Sequence, residues 1–193
     1  FDLGFAINWD AANECFFKRI NDSTFAGYRY STGWAKDQRV FFAVRTSKPV
    51  KSKVFFEGIN RTARDSVKNK NVVACLLFDT KANEAIEMKV ALSFANIQGA
   101  LKALEQTQNM HFDEVKKAAE ASWEKELGKV AIKTTNKALK QTFYTALYHS
   151  YLAPSLFSDA NGNYKNVKGN VQHSDHAVYS VSSLWDVFRA ESP

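Results

Sequence analysis

Short apolar runs separated by polar turns dominate the chain up to about Phe94. The runs are rich in Val, Phe, Tyr and Ile, and four of them are especially clear: RVFFAVRTS, SKVFFEGI, NVVACLLFDT and AIEMKVALSF. Closely spaced runs of this length are typical of antiparallel strands rather than of alternating strand and helix units. The pattern therefore predicts a β-sandwich in this half of the chain.

After Phe94 the apolar residues follow the period of an α-helix. They recur every three or four positions in two stretches, on Ile97, Leu101 and Leu104 and then on Val115, Ala119, Trp123 and Leu127. Asp113 is the predicted N-cap of the second helix, and Gly128 is the residue expected to end it. We therefore expect a helical linker over residues 97–133, with a brief strand, KVAIK, at residues 129–133.

A third amphipathic stretch covers residues 136–153 and has an unusually wide apolar face. The face consists of Leu139, Phe143, Leu147 and Tyr151, with Tyr144 and Tyr148 beside them. This helix must end near Pro154, because the residue before a proline is disfavoured in the helical conformation. A face this wide indicates a helix with neighbours on more than one side. Farther along, the Asn161-Gly162 pair predicts a β-hairpin turn.

Composition and charge narrow the class of protein. With 193 residues, 45% of them hydrophobic, the chain is globular rather than disordered. Its net charge of +6 and pI of about 9.2 would suit nucleic-acid binding, but the lysines are scattered, so we expect no nucleic-acid partner. No stretch approaches the ~18 continuous apolar residues of a membrane-spanning helix.

The cysteines and the first residues carry two further expectations. Cys15 and Cys75 fall in predicted strands and match no metal-binding spacing, so we expect two buried thiols, with a disulfide less favoured. The opening FDLGFAINWD lacks an initiator methionine and the features of a signal peptide. Because it resembles the middle of a strand, we expect the chain to be a segment of a longer protein.

The stretch DANGN offers clustered oxygen ligands of the kind that calcium prefers. Counted from Asp159, the fourth residue is Gly162 and the twelfth is Asn170, whereas a calcium loop of the EF-hand type needs glycine at position 6 and glutamate at position 12. A turn in which Asp159 bonds local backbone amides is therefore favoured over a calcium loop.

His173, Asp175 and His176 could begin a metal site, but their spacing matches no established zinc pattern. A solvated loop is the favoured interpretation. For nucleophilic catalysis the chain has no GxSxG motif and no cysteine in a motif context, which argues against that class of enzyme.

The final stretch, SLWDVFRAESP, supports two interpretations. In one, Ser183 and Asp186 form a capping box at the start of a helix, and Trp185 belongs to the core. In the other, Trp185 covers the apolar face of a sugar while Asp186 and Arg189, three residues apart on one helical face, bind its hydroxyls. The residues alone leave both interpretations open.

This final stretch, together with two segments before it, resembles a known family. FYTALYHSYLAPSLFSDANGNYKN followed by YSVSSLWDVFRAESP resembles the entry to the catalytic domain of glycoside hydrolase family 92, and AGYRYSTGWAKDQRVFFAVRTSKPV resembles its N-terminal β-sandwich. The resemblance implies a β-sandwich, a helical linker and an (α/α)6 barrel. The corresponding domains are residues 1–96 for the C-terminal part of the sandwich, 97–133 for the linker and 134–193 for an incomplete barrel.

The resemblance also implies a function. Family 92 enzymes are exo-acting, mostly bacterial α-mannosidases, many of them specific for α-1,2 linkages, that hydrolyse mannosides with inversion and require calcium. The expected partners are mannose-containing glycans and the remainder of the protein's own catalytic domain, and the expected location is periplasmic, outer-surface or secreted. The alternative from a different class is a non-catalytic β-sandwich module that binds carbohydrate or protein.

Site residues follow from the same resemblance. The mannose-binding Trp-Asp pair of the family corresponds to Trp185 and Asp186, and the arginine that follows it corresponds to Arg189. Tyr179 and Phe188 are expected in the wall of the pocket. The general acid, the general base and the calcium ligands are expected in a later part of the barrel, so no residue of this chain is assigned a catalytic or metal-binding role.

Overall fold

The computed structural model describes residues 1–180 of the chain. In this range the strands are β1 Ala11–Arg19, β2 Thr24–Thr32, β3 Gln38–Thr46, β4 Ser52–Glu57, β5 Asn60–Thr62, β6 Ser66–Asn69, β7 Val72–Leu77, β8 Met88–Ser93, β9 Asn163–Lys165 and β10 Val171–His173. The helices are α1 Ile97–Gln106, α2 Phe112–Leu127 and α3 Lys137–Ser150. These elements form two compact units.

The first unit contains Phe1–Asn109 together with Ser158–Asp175. Its main sheet has the strand order β6-β1-β2-β3-β8, and a smaller sheet has the order β5-β4-β7. All pairings are antiparallel. The predicted sandwich of antiparallel strands is therefore confirmed.

Along each strand of the main sheet, successive side chains point to opposite faces. The sheet therefore has an apolar cluster on each face. Phe25 and Phe42 point towards the smaller sheet and join the core between the sheets, which also contains Cys15, Phe17, Val44, Phe55, Val67, Val72 and Ala74. Ala26 and Ala43, the next residue in each strand, point to the opposite face and pack against α1. Small side chains at these two positions let the helix lie close to the sheet.

The helix α1 is held at both ends. At its start the Asn96 side chain accepts a hydrogen bond from the Gly99 amide at 2.8 Å. At its end the Lys89 ammonium group donates to the carbonyl oxygens of Thr107 (2.6 Å) and Gln108 (3.1 Å), where a cation is favoured by the helix dipole. The helix is thereby fixed against β8, which carries Lys89.

Strand β8 exposes one row of apolar side chains. Val90 and Leu92 pair with Val44 and Phe42, so they share the inner face of the main sheet. Their exposed fractions are nevertheless 56% and 57%. At this edge of the sheet, the inner face is therefore open to solvent in the part of the chain that the structure describes.

The second unit contains Met110–Phe157 and the described residues from His176 onward. Its helices α2 and α3 contact each other through Trp123 and Tyr148, whose ring centroids lie 4.6 Å apart. Both helices are partly exposed along their length, and neither has a buried residue in the described structure. The wide apolar face expected for α3 is present, with Leu139 exposed by 56%.

Two details of the predicted linker are wrong. The N-cap of α2 is His111 rather than Asp113, because the Glu114 carboxylate accepts from the His111 amide at 2.7 Å and starts the helix earlier. Residues 129–133 form no strand, because the Lys129 and Val130 amides bond back to the end of α2.

The Asn161-Gly162 pair forms a turn, but it is not the turn of the hairpin. Gly162 has φ of +80° and lies just before β9, whereas β9 and β10 are joined by the turn at residues 166–170, in which Gly169 has φ of +84°.

The prediction for the cysteines is correct for Cys15 alone. Cys75 points to the outer face of the smaller sheet and is exposed, and both thiols are free.

Candidate functional site

Of the five residues predicted to bind substrate, Tyr179 lies within the described structure. It forms an antiparallel bridge with Leu156, and the Phe157 amide donates to the Val178 carbonyl at 2.8 Å. The Ser180 amide donates to the Ser155 carbonyl at 2.8 Å. Tyr179 itself is 56% exposed, so its ring is available to a ligand. Trp185, Asp186, Phe188 and Arg189 lie outside the described residues.

Asp159 makes a different contact from the one its sequence context predicts. Its carboxylate Oδ2 accepts a hydrogen bond from Ser93 Oγ at 2.7 Å, across 66 positions of the chain. The local amide, that of Gly162, donates to the Asp159 carbonyl oxygen instead. Burial raises the pKa of Asp159, and the hydrogen bond from Ser93 opposes this shift.

The oxygens of the DANGN stretch make other contacts and do not form a calcium site. In the DANGN stretch the Asp159 carboxylate contacts Ser93, and Asn161 Oδ1 accepts from the Asn163 amide at 3.2 Å. Hard cations need several oxygens converging on one point. No group of three or more His, Cys, Asp or Glu side chains capable of holding a metal occurs in residues 1–180.

The histidine cluster is only partly assembled. His173 Nε2 lies 3.3 Å from the Asp175 carboxylate, and its Nδ1 lies 3.3 Å from Asn163 Oδ1. The Asp175 side chain is almost fully exposed. His176 belongs to the second unit. The geometry of His173 is that of a surface hydrogen-bond network on the β9–β10 hairpin.

Two exposed tryptophans form a feature that the sequence analysis missed. Trp34 is 88% exposed and Trp9 is 62% exposed, and their ring centroids lie 5.7 Å apart in an edge-to-face arrangement. The local sequence STGWAKDQ contains the signal, because a tryptophan among polar residues at the end of a strand is placed in a turn. Exposed aromatic rings of this kind are typical of surfaces that contact another molecule.

Both parts of the chain match models of one family. Residues 1–93 match the glycosyl hydrolase family 92 N-terminal domain, and residues 99–193 match the glycosyl hydrolase family 92 catalytic domain. The chain belongs to glycoside hydrolase family 92. The family and the fold inferred from the sequence motifs are thus confirmed.

Solved structures of family 92 share the fold. The GH92 α-mannosidase BT3965 from Bacteroides thetaiotaomicron is 34% identical to the chain, with a TM-score of 0.89 over 95% of the chain and 26% of its own length. The inverting mannosidase BT2199 of the same organism is 23% identical, with a TM-score of 0.82 over 94% of the chain and 26% of its own length, and supports the fold alone.

A curated relative is more distant. An uncharacterized secreted glycosidase of Arthroderma benhamiae is 30% identical over 81 residues, which are 39% of the chain and 10% of that protein. The chain therefore spans about a tenth of this relative and about a quarter of the solved family 92 enzymes. Within residues 1–180, no helix combines the length and the apolarity that crossing a membrane would require.

Proposed function

We propose that the protein containing this chain is an exo-acting α-mannosidase that releases terminal mannose from glycans. The observation that carries the proposal is the likeness to an α-mannosidase of family 92, which extends over 95% of the chain at 34% identity. The matches to both domains of the family support it. Because the likeness covers nearly the whole chain, it favours a shared reaction over a shared non-catalytic module.

The finer parts of the proposal are α-1,2 specificity, inversion at the anomeric carbon and a requirement for calcium. All three are what the resemblance to family 92 implies, and the matches to both domains of that family support carrying them over to this proposal. Inverting hydrolysis needs a general acid and a general base about 6.5 to 9.5 Å apart, with room for water between them. We place both groups, and any calcium ligands, outside the 193 residues of this chain.

The substrate-binding residues in this chain are Trp185, Asp186 and Arg189, with Tyr179 and Phe188 in the pocket wall. In this proposal the indole of Trp185 covers the apolar face of the mannose ring. Asp186 and Arg189 take sugar hydroxyls through charge-assisted hydrogen bonds. The exposure of Tyr179 is compatible with a place at the edge of the pocket.

The activity test uses the full-length protein with α-1,2-, α-1,3- and α-1,6-linked mannobiose, each with added calcium and after chelation. We expect release of mannose, fastest from the α-1,2 disaccharide and lost on chelation. Proton NMR during the first turnovers should show β-mannose, the product of inversion. Absence of mannose release from every α-mannoside would overturn the proposed function, whereas α-mannose as first product would overturn inversion alone.

The site test compares Trp185→Ala and Asp186→Asn with the wild-type enzyme. We expect kcat/KM to fall by about 100-fold or more for each, because each removes a contact that holds the sugar. Val187→Thr, next to the pair, is the control and should retain activity. A loss of less than about threefold for both variants would remove these residues from the site.

The location and partners follow from the same proposal. The curated fungal relative is described as a secreted glycosidase, which supports a location outside the cytoplasm. We therefore place the enzyme in the periplasm, on the outer surface or in the medium. Fractionation of cells that express the full-length protein, with activity followed in each fraction, tests the location.

A second candidate function is glycan binding by the sandwich without catalysis. The exposed pair Trp9 and Trp34 favours it, because stacking on exposed aromatic rings is a common way to bind sugars. It predicts mannoside binding that needs Trp34 and is indifferent to calcium and to Trp185. Calorimetry on Trp34→Ala and Trp185→Ala, in the full-length protein with a non-hydrolysed mannoside, separates the two candidates.

A further inference from the structure

The apolar side chains of Met88, Val90 and Leu92 on the inner face of β8, named here the β8 row, continue the core between the sheets. Each of the three lies directly opposite a residue of β3 that is at most 7% exposed. The residues of the β8 row are themselves 48%, 56% and 57% exposed. Exposure therefore rises steeply within one strand spacing of about 4.8 Å. The apolar face extends onto β8, but the described residues cover only part of it there.

The backbone of the β8 row points away from β3. The Ser47 amide donates to the Glu87 carbonyl oxygen at 2.9 Å, which fixes a hydrogen-bonded pair at the start of this ladder. Along an antiparallel ladder, hydrogen-bonded pairs alternate with non-bonded pairs. In the register of β3 and β8, the residues of β8 that bond to β3 are therefore Lys89, Ala91 and Ser93. The amides and carbonyl groups of the β8 row face the free edge of the sheet.

The exposed side chains and the free backbone call for the same kind of partner. A helix could cover the β8 row, but it would leave the amides and carbonyl groups beneath it without hydrogen bonds, which is costly for buried backbone. An extended strand satisfies both features. Its backbone pairs along the edge, while every second side chain lies on the inner face beside the row. An open strand edge with apolar side chains is a template for this kind of pairing.

The smaller sheet accepts an extended segment in this way at its own edge. The Leu3 amide donates to the Val72 carbonyl oxygen of β7 at 2.9 Å, and the Ala74 amide donates to the Phe1 carbonyl oxygen at 2.8 Å. The Phe1 ring lies 5.4 Å from that of Phe17, and Leu3 packs against the same core. Backbone pairing at an edge and alternate side chains in the core thus occur together elsewhere in this sandwich.

The source of a strand for β8 is the remainder of the protein. Among residues 1–180, the strand that pairs with β8 is β3, and the other edge of β8 has no partner strand. The chain covers 26% of the length of the α-mannosidase BT3965, so a protein of that size has ample polypeptide outside the chain. A strand tethered in the same protein also acts at a high effective concentration, which favours it over a separate partner.

We propose that β8 is a docking edge for a further strand of the same protein, supplied from outside the 193 residues, whose alternate apolar side chains cover Met88, Val90 and Leu92. The added strand pairs with the free backbone of β8, which is 6 residues long. It extends the main sheet beyond β8 and closes the core at this edge. The proposal concerns the sandwich alone and does not depend on the proposed function.

The first test measures reagent access to the β8 row in the full-length protein. It compares alkylation of Val90→Cys and Ile59→Cys, each combined with Cys75→Ser to remove the exposed native thiol. Val90 is 56% exposed and Ile59 is 95% exposed, so an open edge would give rates within about threefold of each other. We expect Val90→Cys to react at least about 50-fold more slowly than Ile59→Cys, because the added strand excludes the reagent. Peptide mass analysis reads the two positions separately.

The same measurement separates a strand of the same protein from a second copy. Alkylation is followed at protein concentrations of about 0.1 and about 10 μM, over which mass action would change the extent of self-association. We expect slow alkylation of Val90→Cys at both concentrations. Rates within threefold of that of Ile59→Cys would overturn the proposal, because the edge would be open. Faster alkylation on dilution would also overturn it, because a second copy would then be the occupant.

Hydrogen exchange in the unmodified full-length protein tests whether the occupant is a strand. The amides of the β8 row should exchange at least about 100-fold more slowly than that of Ile59, at the exposed tip of the β4–β5 turn. The amides of Lys89 and Ala91 bond to β3 and should be protected in either case, so they report that β8 is folded. Slow alkylation of Val90→Cys together with fast exchange of the β8 row would overturn the proposal, because the cover would then not be a strand.

Discussion

Gly27 of β2 lies so close to the backbone carbonyl oxygen of Phe16 in β1 that a Cβ atom at residue 27 would overlap that oxygen. The same Cβ would lie 2.6 Å from the Phe42 ring. Because one obstacle is main chain within a paired sheet, it cannot move without breaking the β1–β2 ladder. Glycine at this position is thus required by the closeness of two strands and not by a turn.

Gly27→Ala should therefore destabilise the sandwich by about 3 kcal/mol, the cost of overpacking a tight interior. Gly58→Ala is the control, because Gly58 has φ of +61° with open space around it and should lose only about 1 kcal/mol through backbone strain. Denaturant unfolding of the two full-length variants gives the comparison. An equal or smaller loss for Gly27→Ala would contradict the structure.

Phe17 is the centre of the aromatic core between the sheets. Its ring centroid lies 5.3 to 5.8 Å from those of Phe1, Phe25, Phe42 and Phe55. Phe17→Ala should cost about 3–5 kcal/mol through lost burial and the cavity left behind. Phe16→Ala, one position away on the opposite face, should cost about half as much, since Phe16 is only partly buried. Similar unfolding midpoints for the two variants would refute this assignment of faces.

Arg29 ties the first residues of the chain to β2. It donates to Asp10 at 2.6 Å, to the Leu3 carbonyl at 3.0 Å and to the Phe5 carbonyl at 3.3 Å. Arg29→Ala should lower stability by about 2 kcal/mol at pH 7, the usual worth of hydrogen bonds to a charged group. Arg29→Lys should recover little of this loss, because an ammonium group lacks the planar fork that reaches all three acceptors.

The Arg29 effect should depend on pH. The hydrogen bond from Arg29 lowers the pKa of Asp10 below its ordinary value of 3.8. A lowered pKa means that this stabilisation is fully present above the unfolded value and is lost as pH falls through the folded value. The difference between wild type and Arg29→Ala should therefore be constant above about pH 5 and shrink below about pH 4. Asp10→Asn should abolish this acid dependence, and a difference that grew on acidification would disprove the assignment.

The two thiols should differ in reactivity. Cys75 is exposed on the outer face of the smaller sheet, whereas Cys15 is buried, donates to the Leu3 carbonyl at 3.1 Å and has its pKa raised by burial. In the native protein, an alkylating reagent should modify Cys75 at least about tenfold faster than Cys15. Peptide mass analysis after a time course measures both rates, with Cys75→Ser as control. Equal rates would place Cys15 at the surface.

The strands were predictable because their pattern is local. In β2 and β3 the order Phe then Ala places the large residue between the sheets and the small one under α1, so alternation in sequence matches two layers of packing. The third helix was predictable for a similar reason, since Pro154 and the apolar period limit it from within its own sequence.

The wrong predictions concern short sequence motifs that are compatible with more than one backbone structure. Gly162 does adopt a left-handed conformation, but the sequence could not indicate that the hairpin closes at Gly169 instead. At the end of α2, the Lys129 and Val130 amides donate to the carbonyl oxygens of Glu126 and Leu127, so residues 129–130 form turns and not the strand that KVAIK suggests. The contact between Asp159 and Ser93 could not be predicted, because the sequence around Asp159 does not indicate a hydrogen-bond partner 66 positions away.

That separation along the chain has a consequence for synthesis. At about 5–20 residues per second, a ribosome needs roughly 3–13 s to pass from Ser93 to Asp159, 66 positions later. Pairing of neighbouring strands takes only about 1–10 μs. The sheets and α1 can therefore form on the nascent chain while the Ser93 hydroxyl still bonds to water. Residues 158–175 then pack against a surface that is already folded. The first unit is therefore completed only after its second segment, Ser158–Asp175, has been synthesised.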